Sequence, residues 1–296
     1  MIAETNGLSV DLEDYYHVEA FADRITPDMW PSFPSRVVEN TRHMLELFFE
    51  LNVRATFFVL GYVAERHPEI VREILSAGHE VGCHSFLHRR IVCLSPAEFR
   101  ADTRRAIAAI EDAGGQRIRG YRAPTFSIMH DSLWALAILA EEGFVYDSSV
   151  FPIRHDVYGM REMPRFPYQW QLPDGLTLYE IPPSTVRFMG WNLPAAGGGY
   201  LRLLPMWYTR WAVQQIRSRE AKPVFVYLHP WEIDPDQPRL NGRLKSRLRH
   251  YGNLHRMEAR LRELLAGNSF SPLLDALNAQ LARGDLLAQP LPDSSF

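Results

Sequence analysis

Short apolar runs alternate with amphipathic stretches along the sequence, and this alternation limits the fold more than any other feature. The runs Gly7–Val10, Arg54–Leu60 and Pro223–Leu228 predict buried strands. Segments with apolar residues at helical spacing lie between about Ser35 and Leu51 and between about Tyr62 and Ala77. Repeated βα units predict an α/β fold with a mainly parallel sheet, open or closed into a barrel, and a ligand site at the carboxyl ends of its strands.

The same patterns of apolar residues predict strands and helices along most of the remaining chain. We expect strands near 79–81, 118–121 and 144–146, and helices near 95–113 and 131–142. The stretch 151–205 is rich in Pro, Gly and aromatic residues, so we expect long loops there, with one strand at 177–181. Beyond Trp231, leucines alternate with eight cationic residues, which predicts a helical C-terminal extension. These residues are Arg239, Arg243, Lys245, Arg247, Arg249, Arg256, Arg260 and Arg262.

Composition and charge exclude several classes of protein. With 296 residues, 46% of them hydrophobic and 23% charged, the chain has the composition of a folded globular protein. A net charge of −3 lacks the basic excess of nucleic-acid binders, so we expect no nucleic-acid partner. The two cysteines are too few for a disulfide framework. The first residues lack the basic region of a signal peptide, and we expect a cytoplasmic protein.

Polar side chains follow the predicted strands where parallel strands would bring them together. Asp11, Glu13 and Asp14 follow the first strand, and His84 and His88 follow another. Two imidazoles four residues apart face the same way on one helical turn and, with one carboxylate, would supply the three protein ligands of a catalytic zinc site. Taken alone, the histidines are more typical of a solvated helix face than of a metal site, and the acids are more typical of a solvated turn or a helix N-cap.

Two further strand ends complete a recognisable set of motifs. Tyr121-Arg122-Ala123-Pro124 follows one strand, and Leu228-His229 ends another. With these motifs the chain resembles the polysaccharide deacetylases, also called the NodB-homology or carbohydrate esterase 4 family, over residues 7–235. The resemblance implies a distorted (β/α) barrel, a divalent metal, a catalytic base at Asp11, His84 and His88 as metal ligands, Arg122 as a catalytic residue beside the base, and His229 as the acid.

Longer phrases are similar to one subfamily, encoded at bacterial exopolysaccharide loci associated with exosortase and PEP-CTERM sorting. They are Ser9-Val10-Asp11-Leu12-Glu13-Asp14-Tyr15, Leu228-His229-Pro230-Trp231-Glu232 and Gly197-Gly198-Gly199-Tyr200-Leu201-Arg202-Leu203-Leu204-Pro205. The glycines do not form a phosphate-binding P-loop, because no Lys-Ser/Thr follows them. Because this Lys-Ser/Thr pair is missing, the three glycines are typical of a flexible turn.

The chain departs from the family pattern in two places. The family has adjacent aspartates, base then ligand, whereas here Leu12 and Glu13 separate Asp11 from Asp14. A turn that begins at Glu13 would bring Asp14 to the metal; we favour Asp14 as the carboxylate ligand and keep Glu13 as the alternative. Thr125 replaces the aromatic residue that follows the family's Arg-x-Pro, although its backbone N–H could still stabilise an oxyanion.

Further residues near the motifs are predicted to contact the substrate or to support the site. Substrate contacts are expected from five residues near the motifs: Pro124, Thr125, Phe126, Leu228 and Trp231. Among the large aromatics, a role in sugar packing is favoured only for Trp231, because most such rings belong to the core. Asp147 is a candidate for keeping His229 protonated. Cys83 is interpreted as buried packing.

These observations lead to one functional hypothesis with two alternatives. The resemblance implies a metal-dependent hydrolase that removes N-acetyl groups from amino sugars of a bacterial polysaccharide or its precursor, in exopolysaccharide biosynthesis. Zinc is the expected ion, with cobalt, nickel and manganese as alternatives. The alternative functions are an amidohydrolase of a small non-sugar amide, similar to allantoinase, and a non-catalytic glycan-binding relative.

We expect the chain to form a catalytic domain followed by an extension, and to act on a glycan. Residues 1–235 would form the catalytic domain, and residues 236–296 a basic helical extension packed on the barrel. The expected partner is an N-acetylated or lipid-linked glycan, with peripheral contact with a membrane biosynthetic complex at the inner membrane. The basic extension could attract a phosphorylated lipid carrier or an anionic glycan, although such a run is more typical of a solvated helix face. The sequence assigns no oligomeric state.

Overall fold

The computed structural model of the chain describes residues 5–195, 197–284 and 286–292. Twelve strands occur in these ranges. They are β1 (Asn6–Leu12), β2 (Thr56–Val59), β3 (Glu80–Cys83), β4 (Gly120–Tyr121), β5 (Tyr146–Asp147), β6 (Tyr168–Gln171), β7 (Thr177–Glu180), β8 (Thr185–Phe188), β9 (Trp191–Pro194), β10 (Phe225–Leu228), β11 (Phe270–Ser271) and β12 (Leu287–Pro290).

Ten of these strands form one sheet with the order β10-β1-β2-β3-β4-β5-β7-β6-β12, in which β11 pairs additionally with β1. All pairings in the sheet are parallel except that of β6 with β7. Strands β8 and β9 form a separate antiparallel hairpin. The predicted α/β fold with a mainly parallel sheet is therefore confirmed.

The segment between β7 and β8 is bonded to β10 without a strand ladder between them. Immediately before β8, the Ser184 backbone N–H donates to the Phe225 carbonyl of β10 at 3.1 Å. In return, the Phe225 N–H donates to Ser184 Oγ at 2.8 Å. Within the described ranges these bonds bring the chain that leaves β7 next to β10, although no strand ladder joins β7 to β10.

Ten α-helices connect and cover the strands. They are α1 (Val37–Glu50), α2 (Gly61–Arg66), α3 (Pro68–Ser76), α4 (Pro96–Gly114), α5 (Trp134–Glu141), α6 (Gly198–Leu203), α7 (Met206–Gln214), α8 (Leu244–Tyr251), α9 (Leu254–Leu265) and α10 (Leu273–Leu281). None of the helices in the described ranges combines the length and apolar character that a membrane crossing requires.

Local sequence signals explain where the helices begin and end. Ser95 accepts the Glu98 N–H while the Glu98 carboxylate accepts the Ser95 N–H, a reciprocal capping box at the start of α4. At the end of α4, Gly115 takes the left-handed conformation that terminates a helix. Pro68 cannot donate a backbone hydrogen bond, so the single helix predicted over 62–77 is divided into α2 and α3.

The stretch 151–205 differs most from its prediction. The strand predicted at 177–181 is present as β7, but β6, the β8–β9 hairpin and α6 also lie in this stretch. Met189 and Gly190 turn the hairpin with positive φ angles of 48° and 83°. A strand that is short, Pro-flanked and half exposed has no period strong enough to be recognised.

The C-terminal extension is helical in α8, α9 and α10, as predicted, but it also contributes strands. Strand β11 pairs with β1 and strand β12 pairs with β6. The last part of the chain is therefore joined to the main sheet by backbone hydrogen bonds as well as by helix packing. The domain boundary at residue 235 stays a prediction.

We expect one buried histidine to make the fold sensitive to acid. Burial lowers the pKa of His79 from 6.5 to about 4, and its Nδ1 accepts the Ala55 N–H at 3.0 Å. Because the unfolded chain binds this proton more readily, the stabilisation is complete above pH 6.5 and is lost as the pH falls toward 4. In that window, the unfolding free energy of His79→Gln should depend on pH less steeply than that of the wild type, by up to about 1.4 kcal/mol per pH unit.

Chemical denaturation at a series of pH values would measure this difference. The exposed His255→Gln is the matched control and should retain the wild-type slope. Parallel curves for the wild type and His79→Gln would contradict the assignment.

Candidate metal and catalytic site

Four parallel strands bring the predicted site residues to one edge of the sheet. Asp11 lies in β1, and His84, Arg122 and His229 directly follow β3, β4 and β10. The registers align these strand ends, with Val10 opposite Leu228 and Cys83 opposite Tyr121. The expectation that parallel strands gather these side chains agrees with the structure.

The two histidines meet through a strained loop rather than along a helix. Residues 84–88 contain no helical turn, and Ser85 and His88 have positive φ angles of 64° and 52°. The His88 N–H donates to Ser85 Oγ at 3.1 Å, which fixes the loop, and the ring centroids of His84 and His88 lie 5.2 Å apart. Positive φ is costly for such residues and is typical of functional sites.

Glu13 completes a three-residue cluster. One ligand atom from each of Glu13, His84 and His88 lies within 4.8 Å of the other two. His84 Nδ1 lies 2.8 Å from the Arg122 carbonyl, which leaves Nε2 as the nitrogen able to bind a ligand. Glu13 Oε2 is 2.9 Å from His88 Nε2, yet this buried oxygen accepts no hydrogen bond within the described residues. An unsatisfied carboxylate oxygen beside two imidazoles fits a divalent metal ion.

Electrostatics favours the protonation states that a metal requires. Burial by itself would raise the pKa of Glu13, but the neighbouring His88, His229 and His84 lower it well below its usual range. Burial lowers the pKa of His84 to about 4. At neutral pH the cluster therefore presents an ionised carboxylate and a neutral imidazole, the forms that bind metals.

Asp14, the favoured carboxylate ligand, lies elsewhere, and here the structure differs from the prediction. Its carboxylate accepts hydrogen bonds from Ser35 Oγ at 2.6 Å and from the Arg36 backbone N–H at 3.1 Å. The turn after β1 begins with a bond from the Glu13 N–H to the Asp11 carbonyl. This tight turn directs Glu13 toward the histidines and Asp14 toward the start of α1, so the geometry favours the Glu13 alternative.

Asp11 and Arg122 form a buried ion pair beside the cluster. Arg122 Nη1 donates to Asp11 Oδ1 at 2.7 Å and to Ser9 Oγ at 2.8 Å. Its other donors bind the carbonyl of Ser148 at 3.0 Å and the Ser148 hydroxyl at 2.7 Å. The guanidinium is thus fixed on both sides and holds the Asp11 carboxylate in one orientation.

A second buried arginine supports His229. Glu232 Oε2 lies 3.2 Å from His229 Nδ1, and Glu232 Oε1 accepts from Arg202 Nε at 2.8 Å. Burial opposes the charge on both groups, but Arg202 and His229 lower the pKa of Glu232 to about 2, and Glu232, with Glu13 and Asp11, raises the pKa of His229 to about 9. His229 is therefore protonated at neutral pH.

Glu232 thus has the role that was expected of Asp147. Asp147 is wholly buried and interacts with Ser149 and Glu180 instead. Burial raises the pKa of Asp147 to about 6. The expectation that Asp147 keeps His229 protonated is wrong, because its carboxylate faces these two residues and not the imidazole.

Leu228 and Trp231, two of the predicted substrate contacts, are buried among other residues of the protein. Leu228 is wholly buried in β10, and Trp231 is only 5% exposed. The Trp231 ring stacks on His229 with centroids 5.1 Å apart and on His250 with centroids 4.2 Å apart. Its indole N–H donates to Glu13 Oε1 at 3.3 Å. Trp231 therefore positions site residues rather than presenting a surface to a sugar.

The turn after Arg122 is better placed for substrate. Pro124 and Phe126 are buried, and Phe126 packs edge-on against Tyr227 with centroids 4.8 Å apart. Thr125 has a positive φ of 57°, and its backbone N–H has no acceptor within the described residues. Thr125 also lines a cavity of about 640 Å³ together with Tyr158, Tyr200 and Tyr227.

The glycine run 197–199 is not a flexible turn but a close-packing position. A Cβ atom on Gly198 would lie 1.5 Å from Glu232 Oε2, and one on Gly197 would lie 2.6 Å from the Tyr227 ring. Only glycine lets α6 start against the carboxylate that supports His229. Glu232 and Arg202 were missed as functional residues, although both lie within the sequence phrases that carry the subfamily resemblance.

Comparison with known proteins finds similarity to polysaccharide deacetylases over part of the chain. The family model described as polysaccharide deacetylase matches residues 25–142, and a domain of unknown function, DUF3473, matches residues 148–278. The second range contains Arg202, His229 and Glu232.

Curated relatives align with only part of the chain. A peptidoglycan-N-acetylglucosamine deacetylase from Bacillus cereus is 31% identical over 33% of this chain and 36% of its own length. A chitooligosaccharide deacetylase from a Bradyrhizobium species is 33% identical over 34% of this chain and 43% of its own length. The chain spans less than half the length of these relatives.

Solved structures extend the similarity in fold to nearly the whole chain. A Mycobacterium smegmatis protein described as a polysaccharide deacetylase superposes with a TM-score of 0.63 at 21% identity, covering 99% of this chain and 95% of its own. The allantoinase Puue superposes with a TM-score of 0.62 at 16% identity, covering 93% of this chain and 89% of its own. At these identities the likeness shows the fold alone.

The choice between Glu13 and Asp14 can be tested by metal binding. Glu13→Gln removes the charged member of the cluster and should weaken zinc affinity by more than about 100-fold, since even outer-shell changes cost 10- to 100-fold. Asp14→Asn changes a carboxylate held by Ser35 and Arg36 and should leave the affinity near that of the wild type. Competition with a chromophoric chelator would measure both. The reverse order of affinities would return the ligand role to Asp14.

Proposed function

We propose that the protein is a metal-dependent hydrolase that removes N-acetyl groups from amino-sugar residues of a bacterial polysaccharide or its precursor, in exopolysaccharide biosynthesis. The observation that carries this proposal is one edge of the sheet where a three-ligand cluster, a fixed carboxylate and a protonated histidine meet. His229 Nε2 lies 3.8 Å from Asp11 Oδ2 and 3.6 Å from Glu13 Oε1. Base, acid and ligand cluster therefore share one small volume.

Asp11 is suited to act as the general base. Its Oδ1 is held by Arg122 at 2.7 Å, which fixes the orientation of the carboxylate. Its side chain is nearly fully buried, which limits its contact with bulk water. In the proposed reaction, Asp11 takes a proton from the water molecule that attacks the acetamide carbonyl.

His229 is suited to act as the general acid. Hydrolysis breaks the C–N bond, releases acetate and leaves an amine, and this amine needs a proton as it departs. Glu232 Oε2, 3.2 Å from Nδ1, holds the ring and leaves the Nε2–H to face the site. The stacked Trp231 ring restricts rotation of the imidazole.

The turn at 123–126 supplies a donor for the carbonyl oxygen. The positive φ of Thr125 turns its backbone N–H out of the local hydrogen bonding. A backbone donor without an acceptor at the edge of a cavity can stabilise the negative charge that develops on the acetamide oxygen.

Glu13, His84 and His88 would hold the metal ion. When bound, a divalent ion supplies Lewis-acid polarisation of the carbonyl and lowers the pKa of water. A set of two imidazoles and one carboxylate suits zinc, and cobalt, nickel and manganese accept the same ligands. We propose zinc as the natural ion.

The cavity beside the site favours a glycan over a small amide. It has a volume of about 640 Å³ and opens between the Thr125 turn, Tyr200 of α6 and α8. Tyr158 and Tyr200 lie on the same wall, with their hydroxyl oxygens 3.2 Å apart. Aromatic walls with polar edges suit sugar residues on either side of the reacting one.

We also propose that α8 gives the protein peripheral contact with the membrane, where a lipid-linked glycan would be available. In α8, His250 is buried while Leu244 and Leu248 are 71% and 63% exposed. These leucines lie one helical turn apart and face outward, the reverse of an ordinary amphipathic helix. Lys245, Arg247 and Arg249 flank them, all exposed. Outward leucines between cations are typical of a helix that lies on an anionic lipid surface.

The test of the activity is acetate release. Metal-stripped protein would be incubated with N-acetylated oligosaccharides, and zinc, cobalt or nickel would then be added back. We expect release only after a metal is restored, and none from allantoin. Hydrolysis of allantoin in place of the oligosaccharides would favour the small-amide alternative. Glycan binding by protein that neither takes up metal nor releases acetate would favour the non-catalytic one.

Single variants should separate the proposed roles. Asp11→Asn and His229→Ala should each lower kcat by about 10² to 10⁴-fold, because each removes a general acid or base. Glu232→Gln should lower kcat less than His229→Ala, since the imidazole remains. The exposed Asp131→Asn and His130→Ala are matched controls and should retain activity. Near-normal acetate release from Asp11→Asn or His229→Ala would refute the assigned roles.

Membrane contact through α8 can be measured with lipid vesicles. The full chain should sediment with phosphatidylglycerol vesicles and less with phosphatidylcholine vesicles, because the cations of α8 favour anionic lipid. Leu244→Ser/Leu248→Ser should weaken this binding by about tenfold or more. Leu287→Ser changes a leucine of β12 that is 67% exposed and should have no effect. Equal sedimentation of the wild type and the double variant would contradict a docking role for α8.

A further inference from the structure

A second cavity, of about 750 Å³, lies apart from the catalytic edge. Its walls come from residues 161–167, the β8–β9 hairpin and the C-terminal segment near β12. None of Asp11, Glu13, His84, His88 or His229 lines it. No step of the proposed reaction uses this cavity.

The lining of the second cavity is strongly cationic. Five basic side chains face a single acidic one, Glu162; the basic ones are Arg154, Arg161, Arg165, Arg187 and Lys222. Glu162 is paired with His130 at 2.8 Å, outside the cavity lining. Arg165 is paired with Glu220 at 2.9 Å and donates to Thr185.

Four of the cations remain without a partner of their own. Among the described residues, the side chains of Arg154, Arg161, Arg187 and Lys222 make no hydrogen bond or ion pair with the protein. The chain as a whole has a net charge of −3, so this concentration does not follow from its composition. Like charges round one concavity repel each other, and this repulsion is relieved when an anion binds between them.

The second cavity also has an aromatic and apolar side. Trp191 of β9 lines it at 50% exposure, and Met163 and Phe166 lie in the same wall. Guanidinium groups bind carboxylates and phosphates through paired hydrogen bonds, and an exposed indole packs against the apolar face of a ring. Cations beside an aromatic ring therefore suit a sugar that carries an acidic group.

We propose that this cavity binds an anionic glycan, whose carboxylate or phosphate groups pair with Arg154, Arg161, Arg187 and Lys222 and whose ring packs on Trp191. The inference deepens the proposed function, on which it rests for its biological setting, by naming an acidic polymer as the substrate class. The binding itself requires no hydrolysis. The second cavity would hold one part of the polymer while another part reaches the catalytic edge.

The test is equilibrium binding to the full chain by calorimetry. The probes are a hexamer of galacturonate, a neutral hexamer of N-acetylglucosamine, and inorganic phosphate. We expect the galacturonate hexamer to bind more tightly than the neutral hexamer, with an affinity that falls as salt rises. Arg154→Gln/Arg187→Gln should weaken its binding by about tenfold or more, because each lost charge-assisted contact is worth several-fold in affinity. Trp191→Ala should weaken it as well.

Matched variants and a second readout separate the outcomes. Arg24→Gln/Arg105→Gln removes two other exposed charges and should leave the affinity unchanged. Acetate release from a short neutral substrate should be the same in Arg154→Gln/Arg187→Gln as in the wild type. Equal affinity for the acidic and neutral hexamers, or an unchanged affinity in that double variant, would overturn the proposal.

Two further outcomes are equally decisive. Phosphate that binds as tightly as the galacturonate hexamer would identify a simple anion site and overturn the glycan assignment. Binding of the acidic hexamer by a protein that deacetylates nothing would overturn the proposed function and support this site.

Discussion

A buried guanidinium at the end of β4 is the interaction on which the catalytic edge depends. Arg122 is 2% exposed, and its side chain bonds to two other parts of the sheet: Ser9 and Asp11 of β1, and Ser148 after β5. A charge buried to this degree is tolerated only when its donors are satisfied. Its backbone carbonyl also orients His84. One residue therefore orients both the proposed base, Asp11, and a proposed metal ligand, His84.

A second buried arginine connects the other half of the chain to the same place. Arg202 is 2% exposed and supports His229 through Glu232. Its remaining donors bind the carbonyls of Arg249, His250 and Gly252 at the end of α8. Carbonyls at a helix C-terminus have no partner within the helix and carry partial negative charge, so a guanidinium stabilises them. The region matched by the deacetylase family model and the region beyond it thus contribute to one site.

Much of the fold could be predicted from the sequence, since strong apolar runs followed by polar residues identify β1, β2, β3 and β10. The motif residues were gathered as expected because parallel strands end at one edge. The position of Glu13 beside the two histidines could not be predicted, because it depends on a tight turn at Leu12. The support of His229 by Glu232 was missed for a similar reason: residues three apart meet only if the chain turns, and the turn at Pro230–Ile233 has no periodic signal. Trp231 was misjudged because a sequence does not show which rings are covered.

The contacts of Arg202 with residues far along the chain have a consequence for the order in which the protein folds during synthesis. Strand β10 pairs with β1 across more than two hundred residues of intervening chain, and Ser9 Oγ donates to the Val226 carbonyl, 217 positions away. The guanidinium of Arg202 finds its last acceptor at Gly252. While the ribosome is still translating the middle of the message, the amino-terminal strands can already assemble, but the acid side of the site cannot. The complete site can therefore form only late in synthesis, after α8 has left the ribosomal exit tunnel.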